Sequence, residues 1–323
     1  MVMRALLTGA SSFTGAWFAR ALERHGIAVT VLSRQHLVSY EGLARRRLAM
    51  AAGTAEALLD GCSPGDRLFL DTLRTRGPFR LLCLHGAETR EHRSPGFDVE
   101  AAVRANLQGT AEALDAFAAT GGHGVIVTGS IFEADEGAGS PEQGAFSPYG
   151  LAKTLTWHQL RYRAEARGLT VGKFVVPHPF GPLEKPGLTA SLVAAWLRDE
   201  TPALRQPYLV RDFVHVDYLA EAYARFARQV ADGRGLLRCA PSGYVETVGG
   251  FVGRMATALG PRLGCHCRFR SLEPVDASGE PGVRFNTEAL PALSTDWPFA
   301  LSWDRYAAWL RNRLEPMSQR EHA

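Results

Sequence analysis

Tyr149 and Lys153 stand four residues apart in the stretch FSPYGLAKTLTW, residues 146–157. Ser147 can cap a helix N-terminus, and Pro148 suits the first helical position, where its missing N–H costs nothing. The tyrosine and the lysine then share one helix face. A phenol beside an ammonium is expected to ionise below its ordinary pKa of about 10, which makes it a proton donor or acceptor for a carbonyl or an alcohol. On any other helix the same spacing gives a packed ring and a solvated ammonium. The chemistry therefore depends on what the rest of the chain places around this pair.

The elements that must position it begin at the start of the chain. Residues 4–8 (RALLT) form a short apolar run that ends in the turn TGASSFTG, residues 8–15. A helical pattern through Trp17, Phe18, Ala21 and Leu22 follows, and then a second apolar run over 28–32. This β-turn-α-β unit predicts a doubly wound α/β domain with a predominantly parallel sheet. In such a unit Gly9 and Gly15 let the backbone approach a pyrophosphate, and the helix N-terminus attracts its charge. The middle position, commonly glycine, holds Ser12, which costs nothing if its φ is negative and whose hydroxyl can reach a phosphate. The same turn without a ligand is the competing reading. The second strand ends in Ser33 and Arg34 with no acidic residue, so the pattern favours a ribose 2′-phosphate and predicts NADP(H) as the cofactor. Arg45, Arg46 and Arg47 read as a solvated helix face.

Farther along, residues 48–79 read less clearly: AAGTAEALLDG is helix-like and CSPGD turn-like. Residues 81–84 form a buried strand ending in His85. One amphipathic helix is expected over 99–119. The strand at 125–127 ends in Thr128, Gly129 and Ser130, and the strand at 173–176 runs into PHPFGPLEKPG. That Pro- and Gly-rich segment continues neither sheet nor helix and marks the passage out of the nucleotide-binding domain. Residues 191–198 and 216–230 read as helices, 210–215 as a strand, and 303–314 as a terminal helix. The expected division is a Rossmann domain over 1–178, rejoined by 209–232, and a smaller substrate domain over 179–323.

The 323 residues can bury a sizeable core, and 46% hydrophobic with 21% charged residues is the balance of a soluble globular protein. A net charge of +3 is too small to imply a nucleic-acid or membrane partner. No apolar run approaches the ~18 residues of a membrane span, and the first residues leave no room for a secretory leader, so a cytoplasmic location is expected. The five cysteines lack a disulfide framework. The tight spacing of Cys265, His266 and Cys267 is no zinc knuckle, and no metal is expected.

Taken in order, TGASSFTG, NLQGT, VIVTGS, YGLAK, HPFGP and RDFVHVDYLAEA resemble the extended short-chain dehydrogenases/reductases over most of the chain. FSPYGLAKTLTW, PFGPLEKP and RDFVHVD look most similar to the reductases of dTDP-linked 4-keto-6-deoxyhexoses. The resemblance implies Tyr149 as general acid, Lys153 as the group that lowers its pKa and holds the nicotinamide ribose, and Ser130 as hydrogen-bond donor to the substrate carbonyl, with Thr128 as the alternative. It places Gly9, Ser12 and Gly15 around the cofactor's pyrophosphate, with Phe13 packing under the turn in the cofactor-binding segment. Arg211 becomes the ligand of a nucleotide-sugar diphosphate; its other reading is an ion pair with Asp212. His178, where many relatives have asparagine, either touches substrate or fills its loop. The implied activity is NADPH-dependent reduction of a nucleotide-linked 4-keto sugar by a homodimer. A nucleotide-sugar epimerase and a non-catalytic NADP-binding protein are the alternatives. Dehydration is not expected, because Ser130 is followed by Ile131 and Phe132 instead of the Asp-Glu pair of the related dehydratases, and Glu133 lies one residue too far along.

Overall fold

The computed structural model describes residues 2–139, 144–272, 280–288 and 297–318. Seven strands form one sheet in the order β11-β7-β5-β4-β1-β2-β3: β1 (Met3–Leu7), β2 (Ile27–Ser33), β3 (Ala57–Asp60), β4 (Leu81–Leu84), β5 (Gly124–Ser130), β7 (Thr170–Val176) and β11 (Leu236–Cys239). Every neighbouring pair is parallel. Because helices cover both faces, β4 and β5 are buried at every residue, as a parallel sheet requires. Successive side chains serve opposite layers. Ile126 joins the core under α1 (Phe13–Arg24) and α8 (Val216–Asp232), where Phe18 stacks on Tyr223 with ring centres 4.0 Å apart. Val125 and Val127 join the core under α3 (Arg67–Arg76), α5 (Thr110–Ala119) and α6 (Pro148–Glu165).

A second layer system lies beyond the strand ends. The three-stranded sheet β12-β10-β8 combines β8 (His178–Phe180), β10 (Val210–His215) and β12 (Tyr244–Thr247). Its core includes Phe180, Phe213, Phe251 and Trp303, with α7 (Leu188–Trp196), α9 (Val248–Leu263) and α10 (Phe299–Ser318) around it. Two further pairings are two residues long: β6 (Ala138–Gly139) with β14 (Arg284–Phe285), and β9 (Ala203–Leu204) with β13 (Arg270–Ser271). Among the described residues no helix is long and apolar enough to cross a membrane.

Several expectations change at the level of elements. The helix-like reading of ALLDG fails, because Ala57–Asp60 pairs with β2 as the edge strand; four residues are too few for a periodicity to distinguish strand from helix. The single helix over 99–119 is two, α4 (Val99–Leu107) and α5. Gly109 between them has φ 67°, and a Cβ there would lie 2.0 Å from the Pro64 carbonyl oxygen, so the helix cannot run through. The Pro- and Gly-rich segment does begin with a strand, since His178–Phe180 pairs with β10. Of residues 209–232, α8 packs on the large sheet while β10 belongs to the small one, and β11 supplies the seventh strand. Arg47 is buried, unlike exposed Arg45 and Arg46; its guanidinium donates to the Leu183 carbonyl and lies over the Phe13 ring.

Candidate active site

The first turn folds as its residues dictate. Gly9 has φ 74°, and a Cβ on it would lie 2.8 Å from the Gly86 nitrogen; a Cβ on Gly15 would lie 2.3 Å from the Gly9 carbonyl oxygen. Only glycine permits these two approaches. Ser12 caps α1 with φ −78°, its hydroxyl accepting from the Gly15 N–H at 3.0 Å. The same hydroxyl and that of Thr14 meet His85 Nε2 at 2.9 and 3.1 Å. The Ser12 side chain is therefore tied back into the protein. The first N–H groups of α1, at Phe13 and Thr14, have no partner inside the helix by its geometry. A close-approach turn backed by a helix dipole fits a dinucleotide pyrophosphate. Phe13 is partly buried against the core beside the turn. The Trp17 indole donates to the Pro182 carbonyl at 3.1 Å, and this contact, with Arg47 on Leu183, holds the loop after β8 beside α1.

At the end of β2 the two residues part company. Ser33 is buried, and its hydroxyl donates to the Gln35 carbonyl and to Asp60 Oδ1. Its donor is spent inside the protein. Arg34 is exposed and free to face a ligand phosphate.

The residues expected to handle protons gather where β5 ends against α6. Ser147 caps α6 by accepting from the Gly150 N–H, with Pro148 in the first turn. Tyr149, Lys153 and Trp157 follow at four-residue spacing on one face. Lys153 is buried, and its ammonium donates to the Thr128 carbonyl at 2.5 Å. Tyr149 is half-buried, with the rings of His92, Phe97 and Phe132 around it at 5.5, 6.0 and 6.2 Å between centres. No hydrogen bond engages its hydroxyl among the described residues. Burial and the charge of Glu133 push Tyr149 well above the usual tyrosine range, contrary to the expected lowering. The ammonium of Lys153, itself pushed down by burial, is engaged with a main-chain carbonyl. Tyr149 is thus held as a protonated phenol. Ser130 is buried, its hydroxyl accepting from the Phe132 N–H at 3.3 Å, and the Thr128 hydroxyl is buried without a hydrogen bond among the described residues.

His178 on β8 reaches the same cage, 5.6 Å from Phe132 and 5.9 Å from Phe213. Burial, reinforced by the charge of Arg211, pushes it down to about 4, so it is neutral. Arg211 does not pair with Asp212. It donates to Glu280 Oε2 and to the Pro281 carbonyl, both at 2.9 Å, whereas Asp212 accepts from the Gly243 and Asn286 N–H groups. The register of β10 explains this, because adjacent residues on a strand point to opposite faces.

Sequence reasoning missed the groups that brace the site. Arg284 is fully buried and donates to the Ile131 and Glu133 carbonyls at 3.1 and 2.9 Å, clamping the loop after Ser130. Lys173, Glu133 and Glu136 form a buried ion cluster behind that loop. An arginine and a lysine far apart in sequence carry no local signal, although lysine's rarity was visible: Lys153, Lys173 and Lys185 are the only three among 36 Lys and Arg.

A seven-stranded parallel sheet with a glycine turn at its first helix defines an α/β protein of the Rossmann type. Residues 5–236 match the model of the NAD dependent epimerase/dehydratase family, and the chain belongs to that family. No curated protein matches it by sequence. Among solved structures it is similar to the UDP-glucuronic acid 4-epimerase of Bacillus cereus in complex with UDP-4-deoxy-4-fluoro-glucuronic acid and NAD: 16% identity over 96% of this chain and 99% of the other, TM-score 0.73. It is also similar to the UDP-N-acetylglucosamine 4-epimerase of Methanobrevibacter ruminantium (16%, 96% and 99%, 0.71). The UDP-glucose 4-epimerase of Thermotoga maritima with UDP-glucose is a third (18%, 97% and 100%, 0.70). At such identities the likeness concerns the fold.

Proposed function

We propose that the protein interconverts the alcohol and the ketone at C4 of a nucleotide-linked hexose, with a nicotinamide dinucleotide bound along the turn of Gly9, Ser12, Phe13 and Gly15. The observation that carries this reading is the Tyr149 phenol: walled by aromatic rings, without a hydrogen bond among the described residues, and on one helix face with buried Lys153. The cofactor supplies or accepts the hydride. Ser130 holds the sugar oxygen, with Thr128 behind it on the same strand face. Tyr149 gives that oxygen its proton, and Lys153 steadies the nicotinamide ribose. His178 and Arg211 line the substrate side, Arg211 for the diphosphate.

The direction we propose is net reduction of a 4-keto-6-deoxy sugar, with dTDP as the nucleotide, by NADPH. Arg34 is exposed and offers a charged fork for the 2′-phosphate of NADPH, the cofactor a net reductase consumes. Ser33 adds nothing to this preference, since its hydroxyl is committed elsewhere. Glu133 is wholly buried in an ion pair, which removes the nearest carboxylate that could expel water from the sugar. Epimerisation is the second reading, favoured by the family and by the 4-epimerases among the similar folds. We also propose a homodimer through α4, α5 and α6, supported by exposed Leu151, Leu155 and Tyr162 on α6. The division at residue 178 stays part of the same proposal.

The test is incubation with dTDP-4-keto-6-deoxyglucose and NADPH, following the nicotinamide absorbance and identifying the sugar by NMR. Stoichiometric oxidation with a 4-hydroxy product supports the reductase. Turnover of UDP-hexoses without net cofactor change transfers the case to the epimerase, and no turnover of either substrate overturns the proposal.

A further inference from the structure

Behind the end of β5 lies a buried ion cluster that the proposed chemistry leaves unused. Glu133 is 0% exposed. Its Oε1 accepts from the Ser130 backbone N–H at 2.8 Å, and its Oε2 lies 2.7 Å from Lys173 Nζ. Lys173 also pairs with Glu136 at 2.7 Å and sits 4.7 Å from the centre of the Trp157 ring. Glu136 continues to Arg238 at 2.7 Å, and Arg238 to Glu288 at 2.5 Å, where the row reaches partly exposed side chains.

Two departures in the sequence belong to this cluster. The strand end reads Thr-Gly-Ser, and a Cβ on Gly129 would lie 3.0 Å from Glu133 Oε1 and 3.0 Å from Lys173 Cε. Glycine at 129 therefore makes room for the pair. Arginine fills nearly every cationic position of this chain, yet 173 holds a lysine; a compact ammonium fits between two carboxylates and over an indole, where a planar fork does not.

A buried pair of this kind contributes little net stability compared with apolar residues, so its placement calls for another role. We propose that Glu133 is a positioning residue for the reaction proposed above: its carboxylate holds the Ser130 N–H two residues along β5 from the Thr128 carbonyl that holds the Lys153 ammonium, and its charge, set against Lys173, acts on that ammonium. The inference rests on the assignment of that pair. The charged groups around Glu133 are Lys173 from β7 and, across it, Glu136 from the same loop, with the Arg284 guanidinium from β14 on the Glu133 main-chain carbonyl and the Lys153 ammonium from α6 on the Thr128 carbonyl. Consistent with this arrangement, the field of Glu133 opposes the lowering of Lys153 by burial, and that of Lys173 adds to it.

The test needs no substrate. A protein labelled with [ε-13C]lysine gives three resonances, assigned through Lys185→Arg, and each is titrated in the free chain. In Glu133→Gln the side chain keeps its acceptor for Ser130 and Lys173 keeps Glu136, so the fold survives. The Lys153 titration is expected to move down by about one pH unit, a tenfold change in its proton affinity. In Lys173→Met it is expected to move up. A structural role alone cannot move the same resonance in opposite directions; no shift, or shifts of one sign, overturns the proposal. Glu133→Asp retains the charge and withdraws the acceptor from Ser130, and remains available should the Gln variant not fold. With a keto-sugar substrate its kcat is expected to fall at least tenfold with KM unchanged, and wild-type kcat overturns the positioning role. Should no sugar be turned over, the lysine titrations still decide the inference, and the failure belongs to the proposed reaction.

Discussion

Replacing Tyr149 with phenylalanine separates catalysis from scaffold more sharply than any other single change. The ring contacts with His92, Phe97 and Phe132 survive, because phenylalanine fills the same volume. The hydroxyl has no hydrogen bond among the described residues, so its loss strands no partner. Stability is then expected to change by less than about 0.5 kcal/mol, the range of substitutions that leave packing and hydrogen bonds intact. Turnover is a different matter. A positioned proton donor accelerates such a step by about a hundredfold to ten-thousandfold, which at about 1.36 kcal/mol per tenfold raises the barrier by roughly 2.7–5.4 kcal/mol. The assay pairs thermal denaturation with the nicotinamide absorbance on a keto-sugar, and adds a cofactor titration expected to match wild type. Near-full turnover refutes the catalytic role. A fall in melting temperature that parallels the fall in activity refutes it too, by making Tyr149 a structural residue.

Removing the Arg34 guanidinium with Arg34→Ala is expected to cost about tenfold to a hundredfold in preference for NADPH over NADH, the value of one charge-assisted contact; steady-state kinetics with both cofactors check it, and an unchanged ratio places the 2′-phosphate elsewhere. Arg211→Ala is expected to raise the KM for the nucleotide sugar at least tenfold while leaving cofactor binding alone, read by kinetics and by calorimetric titration of the cofactor. Stability is expected to fall on acidification. Burial lowers His85 to about 3, His178 to about 4 and His215 to about 3, so the unfolded chain takes up protons first, below its ordinary value near 6.5. Each histidine then removes roughly 1.36 kcal/mol per pH unit as pH falls from about 6.5 to 4. Asp212 acts in the opposite sense, since burial raises it to about 6 and its folded form gains a proton first. The net loss is roughly two histidines' worth, and denaturant midpoints that stay flat across that range refute it.

The local alphabet of this chain was legible without coordinates. The first turn declared itself through Gly9, whose positive φ suits glycine, and Gly15, which meets the Gly9 carbonyl, and the Tyr149 helix through Ser147, Pro148 and a four-residue spacing. These are short-range facts, fixed by neighbours within one turn, and sequence alone determines them. What it could not determine is which distant groups converge on those motifs. The break at Gly109 depends on the Pro64 carbonyl pressing from another element, and the strand character of Ala57–Asp60 on β2 beside it. The protonation of Tyr149 was misjudged for the same reason: sequence supplied the neighbouring lysine, whereas burial and the carboxylate of Glu133 decide the balance. Likewise Ser33 and Arg34 read as equal donors until the tertiary structure turned one inward to Asp60 and left the other exposed. Charge and hydrogen bonding act through space and strengthen as water is excluded. The enclosure that sets their strength exists only once the sheet, α6 and the strap through Arg284 have closed around the site.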